Sequence, residues 1–152
     1  LSLWSTSAAL VAGGARRHRA PRRTMNAPEM RLEVVPLPVT DVEASKRFYV
    51  ERVGFNLDHD VEPGNGMRIV QLTPPGSACS IVFGTGMGDP GSCRVKNLHL
   101  VVADIEIVRA ALADRGVQTS EINDMGGVKY CYFSDPDGNS WTVQEVKGNR
   151  AR

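Results

Sequence analysis

RLEVVPLPVTDVEASKRFY, residues 31–49, and KNLHLVVADIEIVRAALAD, residues 96–114, carry one pattern written twice. An offset of 63 sets Val39 on Val102, Asp41 on Asp104 and Glu43 on Glu106. Each copy is a short apolar strand running into a helix that starts on an acid. In the second helix Ile105, Val108 and Leu112 recur at i, i+3 and i+7 and make one apolar face, while Phe48 and Tyr49 supply the bulk of the first. Asp41 and Asp104 are placed as N-caps, with Glu43 and Glu106 at the positive end of the helix dipole. Gly54 and Gly116 end the helices as residues that accept positive φ. These acids have structural work and are set aside as catalysts.

Three strand-like pieces follow each helix: FNLDHD, GMRIVQL and SACSIVFG, then VQTSEI, GVKYCYF and NSWTVQEV. The turns LTPPGSACSIV and FSDPDGNSWTV align at an offset of 62, Pro74 on Pro136 and Gly76 on Gly138. Each half is therefore βαβββ, and the fold class is α+β. One helix covers only one face of a sheet, so the halves are expected to pack together as a paired curved sheet around a central cavity. TGMGDPGSCRV, residues 85–95, reads as the linker between module one (31–84) and module two (96–146). Together they form one domain over 30–147, followed by a tail, 148–152.

Composition narrows the partners. A hydrophobic content of 41% with 23% charged residues is that of a soluble domain, and no apolar run approaches the about 20 residues of a membrane helix. The net charge of +1 hides an asymmetry: residues 1–24 hold five Arg and no acid, leaving 13 basic residues against 17 acidic ones, about −4. Such a body does not present a nucleic-acid face. Residues 1–29 read as a disordered Arg-rich extension, a targeting segment or sequence upstream of the true start. Cys79, Cys93 and Cys131 are odd in number and lack zinc spacing, so they are expected as free thiols in a reducing, cytoplasmic compartment.

TDVEASKRFYVERVGF, ADIEIVRAAL and FSDPDGNSWTVQEV resemble the vicinal oxygen chelate superfamily, the group of glyoxalase I, extradiol dioxygenases, methylmalonyl-CoA epimerase, and fosfomycin- and bleomycin-resistance proteins. The resemblance spans residues 31–146 and implies the glyoxalase-like fold and a homodimer. In metal-dependent members it implies four cavity-facing ligands, on the first and last strand of each module. These positions fall here on Val34, Ser80, Asn97 and Thr142. That set holds no imidazole and no carboxylate, so no metal ligand and no cofactor is expected. The lesser alternative is a weak divalent-ion site with His99 and Gln144, each displaced by two residues.

Counting by twos from those positions puts Asn97 and His99 on the cavity face of one strand, and Ser140, Thr142 and Gln144 on that of another, with Glu145 opposite. Tyr130, Tyr132 and Arg68 lie on third strands whose parity stays open. His99 is the candidate acid or base, and Gln144 both donates and accepts. The expected ligand-binding set is Val34, Ser80, Asn97, His99, Thr142, Gln144, Tyr130 and Arg68. The reading is a metal-independent protein that binds a small, largely apolar or aromatic molecule, for sequestration, resistance or biosynthesis. The alternative is a lyase, isomerase or cyclase in which His99 transfers protons; whether the chain is an enzyme stays open.

Overall fold

The computed structural model describes residues 28–89 and 91–148; the segment 1–27 and the end of the tail, 149–152, lie outside the described residues. By its contacts the chain divides into residues 1–30 and 31–152, and every helix and strand described lies in the second unit.

Module one runs β1 (Val34–Pro36), α1 (Val42–Arg47), β2 (Asn56–Gly64), β3 (Met67–Thr73) and β4 (Ser80–Thr85). Module two runs β5 (Leu98–Val102), α2 (Ile105–Asp114), β6 (Asn123–Asp124), β7 (Lys129–Ser134) and β8 (Ser140–Glu145). Each makes a four-stranded mixed sheet, in the orders β1-β4-β3-β2 and β5-β8-β7-β6. The first and last strands of each module are parallel, and the other neighbours antiparallel. This is the α+β architecture that the repeat predicts.

Both helices start as the sequence requires. Asp41 accepts from Ala44 N–H at 2.9 Å and Asp104 from Ile107 N–H at 3.1 Å, each closing one orphan donor of a first turn. The first helix departs from expectation after Arg47, where Phe48–Val53 continues as a π-helical turn and Gly54 N–H reaches Tyr49 C=O at 2.9 Å. Phe48 and Tyr49 are consecutive and both buried, and the wider turn lets both enter the core. Gly54, at φ 92°, ends it.

Alternation along the strands sends Val70, Leu72, Ile81 and Phe83 of the first sheet, and Cys131, Phe133, Trp141 and Val143 of the second, into one core with Tyr49, Phe55, Ile105 and Leu112. The Trp141 ring lies 5.9 Å from Tyr49, 5.5 Å from Phe55, and stacks on Phe133 at 6.0 Å. The two sheets therefore share their helix-side faces, and their other faces turn away from the common core.

The turn DPDGN ties the modules together. Tyr49 O–H donates to Asp135 at 2.8 Å and accepts from Trp141 Nε1 at 3.0 Å. Asn139 Nδ2 donates to Pro38 C=O at 2.9 Å, and Asp137 Oδ1 accepts from Thr40 N–H at 3.1 Å and from its hydroxyl at 2.7 Å. Burial, then the Asp135 carboxylate beside it, push the Tyr49 phenol far above its ordinary range and keep it a donor. A turn that local sequence logic explains by itself thus carries the polar contact between the halves.

Candidate functional site

The outer face of the second sheet gathers most of the expected site residues. The parallel register sets His99 opposite Thr142 and Val101 opposite Gln144; the antiparallel one sets Tyr130 opposite Gln144 and Tyr132 opposite Thr142. Two rows cross the sheet, His99–Thr142–Tyr132 and Val101–Gln144–Tyr130. His99 Nε2 lies 2.8 Å from Gln144 Oε1, and the His99 and Tyr130 rings meet edge-on at 6.4 Å. The amide thus holds the imidazole beside a phenol on a face whose rows carry no carboxylate. Thr142 is buried between its larger neighbours, whereas Tyr132 and Val101 stand out, 38% and 62% exposed. At the start of β5 a hollow of about 500 Å³ is lined by Asn97, Tyr132, Ser134 and Ser140.

The first sheet offers a different outer face. Val34 pairs with Ser80, and Ser80 Oγ lies 2.6 Å from Thr73 Oγ1, which in turn bonds the Asp58 carboxylate. His59 stands opposite Gln71 on the same side, exposed. Val34 and Ser80 hold the face expected of them, on another sheet from His99 and Gln144.

Two expectations need correction. Arg68 does not share this face: strand alternation places it with Val70 and Leu72 on the helix side. There its guanidinium grips Asp60 at 2.9 and 2.8 Å and reaches Glu43 at 2.9 Å, while Lys46 bonds Asp60 at 2.6 Å. The hydrogen bonds from Arg68, then Lys46, hold the Asp60 carboxyl well below the usual range. Arg68 fastens α1 to the sheet and is not placed to meet a ligand on the outer face. Asn97 does not occupy the position matching Val34 either: it precedes β5 with φ 57°, and His99 sits opposite Thr142 as Val34 sits opposite Ser80. The cause is connection length. β5 runs to Val102 and its helix cap follows at Asp104, while β1 ends at Pro36 and its cap waits until Asp41. Asn97 still borders the hollow beside Tyr132. Glu145 lies opposite the outer face, as counting by twos expects, and there its Oε2 accepts from Ile105 N–H at 3.1 Å, a second cap on α2.

The donor set does not fit a divalent ion. Val34 offers no lone pair, Ser80 is engaged by Thr73, and His99 and Gln144 bond each other. Among the described residues, no three His, Cys, Asp or Glu side chains gather as a metal would need. Nor, among them, is any helix long and apolar enough to cross a membrane.

A family model for the Glyoxalase/Bleomycin resistance protein/Dioxygenase superfamily matches residues 31–143. Among solved structures, TnmS3, an antibiotic binding protein from Streptomyces sp. CB03234, is 32% identical over 80% of this chain and 99% of its own, with a TM-score of 0.68. A glyoxalase/bleomycin resistance protein from the same organism is 35% identical over 74% of this chain and 98% of its own, TM-score 0.62. A superfamily member from Sphaerobacter thermophilus DSM 20745 is 28% identical over 78% and 98%, TM-score 0.68. A comparison with curated proteins returns no significant match.

Proposed function

The chain belongs to the glyoxalase/bleomycin resistance/dioxygenase superfamily, and on that premise we propose that it binds a small, largely apolar or aromatic molecule on the outer face of its second sheet, without a metal. One observation carries the reading: β5, β7 and β8 bring Tyr130, Tyr132, Thr142 and the His99–Gln144 pair to one face whose rows hold no carboxylate. Phenol rings offer stacking area with a polar tip, and the imidazole–amide pair offers one donor and one acceptor site for a carbonyl or hydroxyl. Similarity to an antibiotic binding protein supports a ligand of this class.

Because the two outer faces turn away from the shared core, one chain supplies two separate half-sites, and a second copy closes each into a cavity. A thermal-shift screen of polycyclic aromatic antibiotics, run with and without EDTA, tests the binding reading. A rise in melting temperature that survives EDTA supports it; a rise that requires a divalent ion contradicts it.

The distance of 2.8 Å between His99 and Gln144 favours a second reading, in which the held imidazole is a general acid or base in a lyase or isomerase reaction. If His99→Ala removes turnover of a bound compound and leaves its affinity unchanged, the second reading gains; unchanged turnover ends it.

A further inference from the structure

The pseudo-symmetry of the two modules is broken at one contact, and the break leaves a cavity. On one side the DPDGN turn of module two docks on module one through three side chains: Asp135 bonds the Tyr49 hydroxyl, Asp137 bonds Thr40 and Ser45, and Asn139 bonds the Pro38 carbonyl. The counterpart contact pairs the turn of module one with α2. By the repeat, Thr73, Pro75 and Ser77 stand for Asp135, Asp137 and Asn139, while Ala103, Val108 and Leu112 stand for Thr40, Ser45 and Tyr49. Each side chain that bonds across the modules there is replaced here by one that is apolar or shorter. Ser77 turns its hydroxyl to its own loop, accepting from Cys79 N–H at 3.1 Å and donating to Cys79 C=O at 2.8 Å. Where the first contact is bonded shut, the second holds a cavity of about 480 Å³ between the Pro74–Ser77 turn, Val108, Leu112, Phe133 and the helix-side face of β5.

We propose that this cavity is a second binding site, for a compact uncharged aromatic or alicyclic molecule that takes the place of the missing clamp. Among the described residues lining it none is an acid, a lysine or an arginine, and His99 stands only at its border, so its interior favours an uncharged ligand. Phe55, Phe133 and Leu112 give it a buried apolar floor. Its size falls in the range of about 300–1,000 Å³ typical of small-molecule pockets. The site lies mainly behind β5: Leu100 and Val102 face it, and exposed His99 and Val101 border it where β5 is the sheet edge. Its occupant differs from the outer-face ligand in needing no hydrogen-bonding partner.

N-phenyl-1-naphthylamine, an uncharged fluorescent probe, tests this on the full chain with labelled methyl groups. The probe is expected to shift the Val102, Val108 and Leu112 methyl resonances along one saturating curve. Val108→Trp, which fills the cavity, should weaken that binding at least tenfold, and Tyr132→Ala, on the outer face, should leave it within twofold. Ser77→Trp, at an exposed turn, repeats the filling where Val108→Trp fails to fold. Unmoved methyl groups at those three positions, or binding lost with Tyr132→Ala and kept with the filling variants, overturns the proposal. Neither outcome bears on whether antibiotics bind the outer face, which the EDTA-resistant screen reads separately.

Discussion

At the scale of single residues, the contrast between Arg68 and Tyr132 shows what parity decides. Both are amphipathic side chains on third strands, yet one is turned to the helix and locked by carboxylates while the other stands on the open face. Sequence alone fixed the parity of the first and last strands, where the turn and helix caps give a count, but β3 and β7 are reached through loops that reset it. His99 and Gln144 were legible as a same-face pair; their mutual hydrogen bond was not, because it depends on a register two residues away from that of module one. In the sequence Tyr49 signals only bulk, and its hydroxyl contacts Asp135, 86 residues away, which no local pattern signals. Tyr49→Phe leaves the buried Asp135 and Trp141 short of a partner and is expected to cost about 1–3 kcal/mol, measured by denaturant unfolding. Asp60 supplies a pH test. Its folded-state pKa is depressed, so its stabilisation is fully present above the ordinary carboxyl range of about 4 and is lost as pH falls through the lower folded value. Melting temperatures of wild type and Asp60→Asn should differ near neutral pH and converge in acid. A constant gap would show that the charge is not what Arg68 and Lys46 hold.

At the scale of elements, the caps and the βαβββ order followed from the repeat because N-cap acids, closing glycines and alternating strands each have a local cause. The π-helical turn did not, since its cause is the burial of two consecutive aromatics in a core assembled from both modules. The pairing of β3 with β4 rests on a glycine that the sequence does not single out. Gly84 lies opposite Ile69, and a Cβ there would come within 1.8 Å of the Arg68 carbonyl oxygen. Backbone has to move to admit it, so Gly84→Ala should lower the melting temperature of the whole domain, by about 2 kcal/mol or more of unfolding free energy. Gly138→Ala meets only ordinary contacts, and its cost is limited to its φ of 85°. A smaller loss at Gly84 than at Gly138 would contradict the strand register.

At the scale of the molecule, the repeat makes two modules and a central cavity legible, and it leaves open whether the modules that enclose the cavity pair within one chain or between chains. The answer lies in Trp141, Phe55 and Tyr49, whose rings bring the helix-side faces of both sheets into one core and leave Val101 and Val61 62% and 48% exposed on strands outside it. Covering such residues is the expected use of a second copy, and the homodimer follows as a prediction: light scattering should give twice the chain mass, and Val101→Glu should shift it toward the monomer and weaken ligand binding with it. A monomer with unimpaired binding would confine the site to one sheet. The most direct test of the binding account is calorimetric titration of the strongest EDTA-resistant antibiotic hit into wild type and Gln144→Leu/Tyr132→Ala. The account predicts saturable binding by wild type and at least a tenfold weaker affinity in the folded variant; equal affinity in both would contradict it.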